Sequence, residues 1–251
     1  MSVNRRDTST ALQVRWARDA DDVQAAQRLR HAVFALEMGA QLDVPPGTPA
    51  GLDVDRFDAF CEHLIVCTAE TDSRPGEVVG TYRVLTPDGA RRAGGLYTET
   101  EFDLAPIRSL LPRAAELGRS CVAPAWRQGG VILMLWSSLA DFMVDQGLDA
   151  MLGCASVSMR DGGQAAAALW RQLRAQHLAA PEQRVRPHLP LPVDALDDGQ
   201  EVAIPPLIRG YLRCGATVLG APAWDPSFDV ADFPLFVDRQ RLPALYRRRA
   251  A

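Results

Sequence analysis

Apolar and polar positions along this chain switch between two periods, and the switches mark out its elements. Residues 13–17 alternate as a short strand. Over 19–38 the apolar positions Val23, Ala26, Leu29, Val33 and Phe34 recur at helical spacing. Asp19 or Asp21 is placed to cap that helix and Gly39 to end it. A stretch rich in Pro, Gly and Asp follows over 41–59, and loops of that length are mostly functional or disordered. Residues 62–69 and 77–85 read as paired strands across Ser73-Arg74-Pro75-Gly76. Residues 87–95 are turn-like, and 104–111 read as a short helix. Then come a strand over 114–122, an amphipathic helix over 130–146, a strand over 149–154 and a second strong helix over 163–177. Residues 181–200 are irregular or carry one strand, 205–214 form a short helix opened by prolines, and 217–220 and 233–237 are the last strands. No repeat or linker interrupts this order. The pattern predicts a flexible tail over 1–12 and one α/β domain over 13–251, with antiparallel strands first and a strand–helix–strand–helix half after them.

Composition narrows the classes. The chain has 251 residues, 47% hydrophobic and 23% charged, with a net charge of -4. That is an ordinary globular balance with no support for nucleic-acid binding. All 27 basic residues are Arg, so every cationic contact is a planar guanidinium fork suited to carboxylates and phosphates. The five cysteines form no Cys-x-x-Cys pair and no signal peptide precedes them, which reads as reduced thiols in the cytoplasm. Four scattered histidines give no metal-ligand spacing. No apolar run reaches the roughly 18–20 residues of a membrane span. The closing Arg239, Arg241, Arg247, Arg248 and Arg249 are either a solvated face or a peripheral contact for an acidic protein or the anionic inner membrane surface.

The most informative stretch runs from Glu116 to Val131: Glu116-Leu117-Gly118-Arg119-Ser120-Cys121-Val122, a proline, then Arg127-Gln128-Gly129-Gly130 before the helix. A strand, a glycine loop and a helix N-terminus together present backbone N–H groups and a positive dipole end to an anion. The spacing Val-x-Pro-x-x-Arg-x-x-Gly resembles the phosphate loop of GNAT-type N-acyltransferases. That resemblance implies a mixed central sheet flanked by helices, with Val122, Arg127, Gln128, Gly129, Gly130 and Val131 holding the donor's phosphopantetheine.

Further residues extend the resemblance. Arg30, Phe34, Asp55, Asp58, Arg83, Glu116 and Arg119 resemble, in order and spacing, a series in acyl-homoserine-lactone synthases, except that Gly39-Ala40 stands where those enzymes carry Trp. From about residue 13 to the C-terminus the chain resembles L-ornithine Nα-acyltransferases more closely. Val33-Phe34-x-x-Glu37-x-Gly39-Ala40, Met151-Leu152-Gly153-Cys154-Ala155-Ser156, the run Pro205–Ala216 and Phe228-Asp229-Val230-Ala231-Asp232-Phe233 carry that likeness. It implies transfer of a 3-hydroxyacyl group from acyl-carrier protein to the α-amine of ornithine, giving lyso-ornithine lipid. No cofactor is bound, because the phosphopantetheine arrives on the carrier. Other readings are a lactone synthase using S-adenosylmethionine, or a non-catalytic domain binding acyl carriers or lipid.

The chemistry assigns provisional roles. Glu116, on the strand beside the loop, is the candidate to accept the amine's proton, with a water chain as the alternative. Residues i and i+3 on a regular strand face opposite ways, so Glu116 and Arg119 do not pair directly unless a bulge intervenes. A backbone N–H near Val122 is placed to stabilise the tetrahedral oxyanion. Asp55 and Asp58 either hold the acceptor's ammonium or are solvated loop residues. Arg30 and Arg83 either bind its α-carboxylate or pair with those aspartates. Cys121 reads as core rather than as an acyl-cysteine nucleophile.

Overall fold

A computed structural model describes residues 11–70, 76–128 and 130–242. The expected turn at 73–76, Gly129 and the terminal arginines beyond Arg241 lie wholly or partly outside the described residues, as do residues 1–10 of the expected tail.

The chain runs β1 (Leu12–Trp16), α1 (Ala20–His31), β2 (Glu62–Thr68), β3 (Val78–Leu85), α2 (Pro87–Ala93), α3 (Thr98–Glu101), β4 (Phe102–Asp103), β5 (Ala114–Val122), α4 (Val131–Asp145), β6 (Ala150–Ser158), α5 (Gln164–Gln176), β7 (Arg186–Pro187), α6 (Val193–Leu196), α7 (Pro206–Arg213), β8 (Thr217–Val218), β9 (Ala223–Asp225) and β10 (Val230–Asp238). The main sheet is ordered β1-β2-β3-β5-β6-β10-β8, with β9 also on β10. Every pairing in it is antiparallel except β5 with β6. This is the mixed sheet flanked by helices that the resemblance to GNAT-type acyltransferases implies.

Local chemistry explains the boundaries. The Asp19 carboxylate accepts the Asp22 N–H and caps α1. At its far end α1 widens into a π-helical turn over Ala32–Glu37, so the helix nearly reaches the expected Met38. Two expectations need correction. Residues 87–95 contain a helix, not only a turn: Thr86 caps it, Pro87 opens it, and Gly94 closes it at φ 78°. Residues 104–111 form no α-helix but contribute to separate 3₁₀ turns, Ala105–Ile107 and Leu111–Arg113, since Pro106 and Pro112 each remove a backbone donor.

Side chains on β3 alternate between two layers. A Cβ on Gly80 would stand 2.4 Å from Val131 Cγ1, so the bare glycine lets the start of α4 press onto the sheet. Tyr82, Val84 and Leu117 join Leu135, Leu139 and Met143 of α4 in the main core. The other face of β3 carries Thr81 and Arg83 beneath α1.

Candidate active site

The site forms where the sheet parts. β5 and β6 are each nine residues long, but they pair only over Ala114–Glu116 with Ala150–Leu152. Beyond that they diverge, and a cavity of about 290 Å³ opens between them. It is near the lower end for small-molecule pockets. Gly118, Arg119, Ser120 and Cys121 of β5 line one side, Cys154 and Ser156 of β6 another. Val33, Phe34 and Met38 from the π-helical turn close the wall on the α1 side, and Phe34 meets Phe228 edge-on at 6.1 Å.

A bulge in β5 re-aims Arg119. Thr81 pairs with Cys121 and Arg83 with Gly118, so β5 carries one extra residue there, and Arg119 takes φ 50°. Glu116 and Arg119 therefore both turn toward the α1 side of the sheet, yet they do not bond each other. The Arg119 guanidinium lies between the Tyr97 and Phe228 rings, 5.4 Å and 4.6 Å from their centroids. It reaches Asp55 at 3.2 Å and Asp53 at 3.4 Å.

Beside the cavity is a closed charge network. Arg30, wholly buried, donates to Asp53 Oδ2 at 2.8 Å, to Asp58 at 2.8 and 2.9 Å, and to the Asp53 carbonyl. Arg83 donates to Asp55 at 2.7 Å. Burial works against the Asp58 charge, but Arg30 and Arg83 outweigh it and hold its pKa at about 2. Three guanidinium groups thus meet three carboxylates. The two aspartates expected to meet an acceptor ammonium are already neutralised within the protein, and Arg30 and Arg83 are committed to them. Of the two alternatives for Arg30 and Arg83, the structure shows the pairing with the aspartates, and Arg30, Asp55 and Asp58 stand behind the cavity wall. Asp53, absent from the sequence expectations, completes the network. Among that set, Phe34 and Arg83 line the cavity itself.

Glu116 lines the cavity, as expected, and its carboxylate is already engaged by the protein. Its carboxylate accepts the Tyr97 N–H at 2.7 Å, the Thr98 N–H at 2.6 Å and the Thr98 hydroxyl at 2.5 Å. Burial raises its pKa despite these donors. Both oxygens already serve the backbone entering α3, so Glu116 holds that segment, and taking a proton would cost it a bond. Cys121 lines the cavity, but burial pushes its thiol up to about 12, and Cys154 is pushed up too. Neither is a thiolate near neutral pH.

At the loop, Gly130 stands at φ 77° immediately before α4. The N–H groups of Leu133 and Met134 turn to the Gly130 carbonyl, which leaves those of Val131 and Ile132 at the helix entrance. Gln128 is exposed beside them. Arg127 forms a two-pronged pair with Glu37 at 2.7 Å on both arms, and its Nε donates to the Val122 carbonyl. That bond straps the loop to the end of α1, so Arg127 reaches the expected donor site with its charge already paired to Glu37. Ala123 gives its N–H to Val79 on β3, so strand alternation turns the N–H of Val122 toward the opening.

The opposite wall holds carboxylates that the sequence reading passed over. Asp225 and Asp232 line the cavity beside Tyr97 and Ser156. Burial and Asp225 lift Asp232 to about 6, and burial with both aspartates lifts Glu101 to about 7.

This fold, with its parted strands and a helix N-terminus at the gap, defines an acyltransferase of the GNAT class. The acetyltransferase (GNAT) domain model matches residues 29–137. The chain belongs to the L-ornithine Nα-acyltransferase family. It is 36% identical to the L-ornithine N(alpha)-acyltransferase of Rhizobium meliloti, covering 88% of this chain and 78% of that one. It is likewise 36% identical to the Rhodobacter capsulatus protein of the same name, covering 94% and 93%. Among solved structures it is similar in fold to FeeM, an N-acyl amino acid synthase from uncultured soil microbes. There the TM-score is 0.55 and the identity 12%, with 93% of each chain covered. It is also similar in fold to the acyl-homoserine lactone synthase LasI, with a TM-score of 0.52, 12% identity, and 92% and 91% covered.

Proposed function

We propose that this protein moves a 3-hydroxyacyl group from the phosphopantetheine thioester of acyl-carrier protein to the α-amine of L-ornithine, giving lyso-ornithine lipid. The observation that carries the reading is the cavity between β5 and β6, opening beside the N-terminus of α4 in a chain of this family. The phosphate of the carrier's arm sits at the entrance of α4, on the N–H groups of Val131 and Ile132. The arm then runs along β5 and brings the thioester carbonyl to the N–H of Val122, which faces the charge that develops on oxygen.

The α-amine attacks the thioester carbon directly. The carbon–nitrogen bond forms, the carbon–sulfur bond breaks, and the proton lost by the amine ends on the departing thiolate. The raised thiol pKa values of Cys121 and Cys154 argue against an acyl-cysteine intermediate. Arg119, held between two rings at the cavity wall and paired to Asp53 and Asp55 through Nε and one terminal nitrogen, receives the acceptor's α-carboxylate on its remaining N–H groups. Among the described residues no helix is long and apolar enough to cross a membrane. We place the enzyme in the cytoplasm, with peripheral contact at the inner membrane face where its amphiphilic product is released. Purified protein given 3-hydroxyacyl-carrier protein with both ornithine and S-adenosylmethionine tests the reading. An acyl-ornithine amide is expected by mass spectrometry, and a lactone product or no turnover contradicts it.

A further inference from the structure

Around the cavity the charges do not balance. The guanidinium groups of Arg30, Arg83 and Arg119 are matched by Asp53, Asp55 and Asp58. Among the described residues Asp225 and Asp232 form no ion pair with an arginine. Asp225 Oδ1 accepts the N–H groups of Ser227 and Phe228, and its Oδ2 accepts the Tyr97 hydroxyl at 3.3 Å. Asp232 is only 2% exposed, yet it forms part of the cavity wall. The Ser156 hydroxyl donates to its Oδ1 at 2.5 Å, and among the described residues its Oδ2 receives no donor. Among the described residues Oδ2 is not one of the enclosed polar atoms left without a partner, so it is reached from the cavity and is open to a donor on a ligand. Among the described residues no arginine stands within ion-pair distance of either aspartate, although Arg119 is near enough to draw the Asp232 pKa down, and Glu101 adds a further acid nearby.

We propose that Asp232, supported by Asp225, receives the side-chain ammonium of the amino-acid acceptor and so selects a diamino acid over neutral ones. This rests on the acyl-transfer reading above. The geometry divides the acceptor's charges between the two walls: the α-carboxylate goes to Arg119 on β5, and the side-chain ammonium goes to the aspartates on β9 and β10. The α-amine is left between them, next to the gap in the sheet. Ser156 positions Asp232 by holding Oδ1, which turns Oδ2 to the ligand. The side-chain ammonium stays protonated against this pair, so it is not a competing nucleophile.

The test compares ornithine with norvaline, which has the same carbon chain and lacks the terminal amine. Binding of each amino acid is measured by calorimetry, and kcat/KM by product formation, for the wild type, Asp232→Asn and Asp225→Asn. Both substitutions keep an oxygen for the existing donors and remove the charge. A lost charge-assisted bond predicts that Asp232→Asn weakens ornithine about 10- to 150-fold in both measurements. Norvaline stays within about twofold, and Asp225→Asn gives a smaller loss in the same direction. Retention of the ornithine preference in Asp232→Asn overturns the proposal, as do equal losses for both amino acids or a wild type that binds both alike. If Asp232→Asn does not fold, Asp225→Asn decides by the same criterion. Selective ornithine binding lost in the variants, with no acyl transfer by the wild type, would sustain this assignment and sink the catalytic reading. Acyl transfer with selectivity intact in the variants would do the reverse.

Discussion

Asp232 and Ser156 face each other across β10 and β6, and the Ser156 hydroxyl donates to the Asp232 carboxylate at 2.5 Å. The pair sits at the point where β6 has left β5, so a carboxylate from the far end of the sequence stands in the wall of the cavity.

Asp232 sets one stability prediction. Burial raises its folded pKa from 3.8 to about 6. Between those values the folded state holds the proton that the unfolded chain has released, so its contribution to stability falls as pH rises through about 4 to 6. Asp232→Asn removes this cost. Relative to wild type, the variant should gain up to about 3 kcal/mol more at pH 8 than at pH 4, since one pKa unit is about 1.4 kcal/mol. Urea unfolding at both pH values measures it, and an equal difference at pH 4 and pH 8 contradicts it.

Glu116 sets a second. In Glu116→Gln the amide NH₂ must confront at least one of the N–H groups of Tyr97 and Thr98, which now point at carboxylate oxygens. A loss of about 1–3 kcal/mol of stability is expected from the unsatisfied donor, with the limbs of the pH–rate profile unmoved. A rate loss of about 10²–10⁴ with unchanged stability would return Glu116 to the role of proton acceptor.

The charge network sets a third. Arg30→Met leaves Asp53 and Asp58 buried beside fewer cations, and breaking a buried pair this way costs about 3–5 kcal/mol. Asp55→Asn should lower activity with ornithine and norvaline equally, because Asp55 serves Arg83 and Arg119 rather than the substrate. A loss confined to ornithine would show that Asp55 meets the ammonium after all.

At the loop, Gly130→Ala forces a side chain into the left-handed region, where nothing lies within 4 Å to clash but the backbone itself is strained. The expected cost is about 1–2 kcal/mol of stability, with a raised KM for the acyl carrier and little change in KM for the amino acid. An unchanged carrier KM would mean that the phosphate binds away from α4.

Much of the fold was legible because burial writes itself into periodicity. β5, α4 and α5 emerged near their true bounds. α2 was missed although Thr86, Pro87 and Gly94 carry its full set of end signals, because a two-turn helix is too short for a period to show. The site was legible in membership more than in role. Arg30, Asp55, Asp58, Arg83 and Arg119 do gather, but which carboxylate is left for a ligand depends on pairing, and Asp53 tips that count. Asp232 entered the sequence reading only as part of the run 228–233, without a role, because the Ser156 that it meets across β10 and β6 lies 76 residues away, and Asp225 comes to the site on β9 beside β10. The remaining signal was a lone carboxylate within the apolar strand Val230-Ala231-Asp232-Phe233, which a buried strand keeps only with a partner or a purpose. Arg119 was placed on the correct side only by the bulge, which nothing in Gly118-Arg119-Ser120 announces.

The central claim is that the α-amine is acylated while the side-chain amine remains an ammonium. Ornithine labelled with ¹⁵N at the α position only, incubated with the enzyme and 3-hydroxyacyl-carrier protein, tests it most directly. Fragmentation of the product by mass spectrometry should find the label in the amide and an unlabelled free terminal amine. An unlabelled amide nitrogen, with the label in the free amine, would contradict the account.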